Sequence, residues 1–144
     1  MTLDYKEGIE INRTCIKAFL ITMIPFLLLY AFSKSVLGDV YLFEWTARRY
    51  YCGVWFIVLL LVVFNHRTVS YSLSVGNAMG IAAGQLIGDR IIAIRTADIT
   101  TRSTPEEVYL AHEHYGVFLW LMILMLSFVA GIVIEKLQRK RQPR

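Results

Sequence analysis

A chain of 144 residues that is 56% hydrophobic, with a mean hydropathy of +0.52, is more apolar than a soluble domain at about 45–50%. Its length suits one domain, and the long apolar blocks leave no room for a soluble domain beside them. The net charge of +4 is not a nucleic-acid footprint, because Lys136, Arg139, Lys140, Arg141 and Arg144 crowd one end of the chain and read as a topology signal.

In chain order, residues 1–17 are polar and mixed in charge and suit a short surface helix. Asn12-Arg13-Thr14 is a formal glycosylation sequon, discounted because it falls on the cytoplasmic side. The first span is expected at about 15–32, with a kink at Pro25. Ala31-Phe32-Ser33 resembles a signal-peptidase site, but the long, acid-bearing stretch before the apolar block argues against cleavage. Trp45, Arg48, Arg49, Tyr50 and Tyr51 suit a membrane–water interface, and the second span follows at about 47–64. The short link at 65–68 makes spans two and three an antiparallel hairpin.

The third span, about 69–88, organises the rest. Gly76, Gly80, Gly84 and Gly88 recur every fourth residue, with Ala78, Ala82 and Ala83 between them. In water each glycine costs a helix about 1 kcal/mol against alanine. In a bilayer the backbone must satisfy its own hydrogen bonds, and a row of glycines becomes a flat face for close approach of another backbone. Candidate packing partners on the fourth span are Ser127 and Gly131. Replacing Gly80 or Gly84 by leucine is expected to break this packing, whereas changes at Met79 or Leu86, on the opposite face, should matter less. Beyond the third span, Thr104-Pro105-Glu106-Glu107 is a strong helix start. That helix is expected to run into the fourth span, about 115–134, before the basic tail at 135–144.

The expected fold is therefore an all-α integral membrane protein, a four-transmembrane-helix bundle with a glycine-zipper third helix. Nine of the 15 Lys and Arg residues fall on one side if both termini are cytoplasmic, which sets a multi-pass plasma-membrane topology. The pattern resembles that of small four-span bacterial membrane proteins, and no motif narrows it to a family.

Three constellations are candidates for function. Asn77 and Gln85 are the amides inside an apolar span, suited to an interhelical hydrogen bond or to a solute path. Glu106, Glu107, His112, Glu113 and His114 form an outer polar cluster. Histidines two apart on a helix diverge by about 200°, which speaks against a shared metal. Cys15 and Cys52 lie near opposite faces and are not expected to pair. No charge sits in mid-span, and no P-loop or nucleophile elbow appears, so neither a cofactor, a metal nor a catalytic residue is assigned. The expected role is a structural or accessory subunit that packs through the glycine-rich third helix with itself or with a larger membrane complex. An oligomeric channel or small-solute transporter is the alternative, and a lipid-directed membrane enzyme a weaker one. The expected partners are the lipid bilayer and other membrane subunits, not nucleic acid.

Overall fold

The computed structural model describes residues 2–97, 99–100 and 103–141, with side chains from residue 14 onward. The side chains of Asn12 and Arg13 in the sequon therefore lie outside the described residues, as do Asp98, Arg102 and Arg144. The described chain is helical, with no strand. Six helices follow in order: α1 (Thr2–Ser35), α2 (Tyr41–Arg48), α3 (Val54–Val63), α4 (Arg67–Ala97), α5 (Pro105–Ala111) and α6 (Gly116–Arg141).

Helix α1 is one unbroken element that takes in both the polar stretch and the first apolar block, with Pro25 inside it. Among the described residues two stretches are long and apolar enough to cross a membrane, Thr14–Ser35 and Pro105–Arg141. A third qualifies if α2 and α3 count as one bent span. The expected third span, α4, does not pass the same test of length and composition. Helix α4 has the length, but its serines, glycines, Asn77 and Gln85 lower its hydropathy below that of the others.

The second apolar block, expected as a span at 47–64, is bent. Helices α2 and α3 meet at 59°. Between them Tyr50, Tyr51, Cys52 and Gly53 take φ of 48°, 54°, 49° and 75°. Such a left-handed turn is natural only for glycine, and each L-residue in it costs about 1–2 kcal/mol. Tyr51 is nonetheless buried there, edge-on to Phe26 of α1 with ring centroids 5.6 Å apart. At the next connection Asn65, at φ 62°, turns the chain from α3 into α4, a conformation that asparagine tolerates better than most.

Helix α5 carries the expected capping box. The Thr104 hydroxyl accepts from the Glu107 N–H, and the Glu107 carboxylate accepts from the Thr104 N–H. The helix stops at Ala111, however, and α6 begins afresh at Gly116, where one continuous helix was expected. The Gly116 N–H, freed at the new start, donates to His114 Nδ1 at 3.1 Å, so a side chain satisfies one of the orphan donors of the helix.

The core draws on five helices: Phe26 from α1, Leu42 and Ala47 from α2, Val54 and Val58 from α3, Leu73 and Ile81 from α4, and Trp120 and Leu124 from α6. Helix α4 touches every other helix. It is buried along one broad face, from Val69 through Gly88. Val75, Met79 and Leu86 on the other face are exposed, so α4 is not enclosed all round.

Candidate functional site

Besides the apolar Val69, Leu73 and Ile81, the buried face of α4 presents glycines that admit a neighbour and polar side chains that bond to one. The glycines meet α6 in register. A methyl group placed on Gly76 would collide with the side chain of Ser127. One on Gly80 would lie 2.9 Å from Trp120 Cδ1, and one on Gly84 2.6 Å from the Gly116 carbonyl oxygen. The contact is mutual, since a methyl on Gly116 would lie 2.7 Å from the Gly84 carbonyl oxygen. Gly88 receives the His114 ring. At the far end Gly131 of α6 faces Val69 and Ser72 of α4, with 2.9 Å from an added methyl to Val69 Cα. Thus Gly76, Gly80, Gly84, Gly88, Ser127 and Gly131 lie along one seam inside a single chain.

The polar side chains tie α4 to α1, α2, α3 and α6. Ser70 donates to the Val58 carbonyl of α3 at 3.1 Å, Ser74 to the Thr22 carbonyl of α1 at 2.7 Å, and Ser72 to the Ser127 carbonyl of α6 at 2.6 Å. Asn77 is fully buried, and its Oδ1 accepts from Trp120 Nε1 at 3.1 Å. Its Nδ2 is buried without a hydrogen bond. Gln85 Oε1 accepts from the Leu42 N–H at 2.7 Å, and its Nε2 donates to Asp89 at 2.8 Å. The Leu42 amide lies in the first turn of α2, where the helix supplies no acceptor of its own. Gln85 therefore fixes the entry of the bent segment onto α4.

Replacing Gln85 by leucine keeps the volume and removes both bonds. The expected result is a stability loss of about 1–2 kcal/mol, together with faster amide exchange across α2. Unchanged exchange at residues 41–48 would mean that Gln85 does not hold α2.

The outer polar residues are not brought together. His112 is exposed, and its Nδ1 lies 2.8 Å from the Val108 carbonyl one turn back. Glu113 accepts a long bond from the Tyr115 hydroxyl at 3.4 Å. Glu107 belongs to the capping box and Glu106 is exposed. His114 is different, with its side chain 6% exposed and its ring set between Gly88 and Gly116. The Tyr41 ring lies 4.5 Å away from it. Because Nδ1 accepts from Gly116, the neutral ring carries its proton on Nε2. That nitrogen sits 3.4 Å from Asp89 Oδ1, too far for a normal hydrogen bond. The helix does break between the two histidines, but each turns to a separate partner. Among the described residues no cluster of three His, Cys, Asp or Glu side chains could hold a metal ion.

Sequence reasoning passes over Ser70, Ser72, Ser74 and Thr22, whose only signal is hydroxyls at close spacing inside apolar helices. It also passes over a second cluster at the other end of the seam. There Glu135, 9% exposed, accepts from Arg139 at 2.6 Å and pairs with His66 Nδ1 at 2.8 Å. Thr68 donates to Gln138 at 2.9 Å beside it. This cluster closes the α3–α4 turn onto the last turns of α6.

No family model, curated protein or solved structure matches the chain.

Proposed function

We propose that this chain is a four-pass plasma-membrane protein with both termini cytoplasmic, built as a bundle around α4 through a glycine zipper, and that it serves as a structural or accessory subunit of a membrane assembly. One observation carries the reading. The hydroxyls of Ser70, Ser72 and Ser74, the carbonyl oxygen of Asn77 and both ends of Gln85 are bonded within the chain. A solute path needs polar groups free to exchange partners, and nearly all those of α4 are engaged.

The low hydropathy of α4 fits the same reading, since its polar and glycine positions face other helices while Val75, Met79 and Leu86 face outward. Because α6 fills the glycine stripe, a partner subunit would meet some other surface of the bundle. The basic residues after Glu135 favour a cytoplasmic C-terminus.

Two measurements test the proposal. Cysteine-accessibility mapping should find the tail after residue 141 and the turn at residue 65 on the cytoplasmic side, and the 99–104 region outside. Purified protein in liposomes should pass no small solute. An extracellular tail sinks the topology, and a solute flux that disappears in Asn77→Leu replaces the structural reading with the transport one.

A further inference from the structure

At the turn between α3 and α4 the chain places a cation that, among the described residues, has almost nothing to hold. Arg67, the first residue of α4, is half-buried. One of its terminal nitrogens points to the Cys15 thiol at 3.9 Å, a weak acceptor. Its Nε is shielded and has no partner. Among the described residues no carboxylate lies within ion-pair distance of it. At the adjacent His66, Glu135 is engaged through Oε1 by His66 and Arg139, while its Oε2 is buried without a hydrogen bond. A guanidinium offers five donors, and one left partly desolvated without an anion is costly.

From the same place a groove of about 750 Å³ runs between α1 and α3, lined by Cys15, Phe19, Leu20, Phe56, Leu60 and Val63 among others. Its lining is almost wholly apolar, and Cys15 joins it to Arg67. The volume lies within the ordinary range for a ligand site, about 300–1,000 Å³. A groove of hydrocarbon that ends at a guanidinium paired with no described carboxylate matches one kind of molecule, an acyl chain joined to an anion.

We propose that the α1–α3 groove is a binding site for an anionic glycerophospholipid, with an acyl chain against Phe19, Leu20, Phe56 and Leu60 and the phosphate on Arg67. Arginine suits this role because its fork can donate two parallel bonds to a phosphate. A net negative head group is expected to bind better, since among the described residues no carboxylate pairs with Arg67 to balance its charge. The cytoplasmic leaflet follows from the proposed topology; the binding itself does not depend on it.

The test uses the full chain in detergent, titrated with phosphatidylglycerol and phosphatidylcholine of equal chain length, with bound lipid counted by native mass spectrometry. Phosphatidylglycerol should bind at least about five-fold more tightly, the contribution of one basic residue near a membrane surface. Arg67→Gln should abolish that preference and Arg67→Lys should retain most of it. Leu60→Trp, which fills the groove, should weaken both lipids, while Leu121→Trp on the outer face of α6 should change neither. Thermal unfolding of each variant separates lost binding from lost folding. Glycerol 3-phosphate has the same phosphate without chains and should not displace the lipid. Equal affinity for the two lipids, full retention of the preference in Arg67→Gln, or displacement by glycerol 3-phosphate at matching concentration would overturn the proposal. Solute flux and subunit assembly play no part in these readouts, so the test stands apart from the proposed function.

Discussion

Gly84→Ala should lower the thermal stability of the detergent-solubilised protein by about 1–3 kcal/mol, the cost of forcing one extra group into a filled site. The added methyl would lie 2.6 Å from the Gly116 carbonyl oxygen and 2.8 Å from Leu42 Cδ2. The leucine tip can swing aside, but a carbonyl in the first turn of α6 can move only if the helix moves. Alanine is the better helix former by about 1 kcal/mol, so the helix term and the packing term oppose each other. Packing should win, because in lipid no hydrophobic force compensates for lost contact between helices. Gly84→Leu and Gly80→Leu should be worse still, the latter because Trp120 Cδ1 lies 2.9 Å from the added carbon. Met79→Leu and Leu86→Ala change side chains that are 64% and 70% exposed and should be nearly neutral. The loss should appear in the monomer's melting curve rather than in the size of an oligomer, since the facing helix belongs to the same chain. A stable Gly84→Leu protein would mean that α4 and α6 do not meet as described.

Trp120→Ala should be the most damaging single truncation, at about 3–5 kcal/mol. Trp120 is 1% exposed, fits the flat surface of Gly80, lies edge-on to Trp45 at 6.1 Å, and donates to Asn77. Volume and hydrogen bond can be separated. Trp120→Phe keeps most of the ring and leaves Asn77 Oδ1 buried without a donor, which should cost about 1–3 kcal/mol. Asn77→Leu removes the acceptor and also the buried Nδ2 that has no partner. The double variant Asn77→Leu with Trp120→Phe should therefore recover part of the loss of Trp120→Phe alone. Strict additivity of the two changes in a double-mutant cycle would mean that the bond contributes nothing.

Local chemistry is what the sequence makes legible. The capping box at Thr104 and Glu107 can be read from four residues, because both partners are neighbours in the chain. The glycine spacing marks a face that has no room for side chains, because regular omission of Cβ has few other uses in an apolar helix. What faces that surface is a matter of long-range pairing, and no local signal distinguishes α6 of the same chain from a helix of another.

The same limit hides the acceptors of Ser70, Ser72 and Ser74, which are carbonyls and so carry no residue identity. The turn at Tyr50–Gly53 is illegible for a different reason. Two tyrosines and a cysteine have no preference for positive φ, and only tertiary contacts place them there. His112 and His114 look equivalent as a His-Glu-His triplet, yet Gly88 admits one ring and solvent takes the other.

The turn at Tyr50–Gly53 is a strained stretch held by contacts at two points. Three side-chain-bearing residues held left-handed store about 3–6 kcal/mol. Gln85 holds one arm at Leu42, and Phe26 bears on the coil at Tyr51. Unwound into a right-handed helix, the stretch from Tyr41 to Val63 would reach about 34 Å, enough to cross a hydrocarbon core of about 30 Å unaided. Bent by 59°, the segment reaches less far than that, so the two contacts, and not its number of residues, set how much of a bilayer it covers.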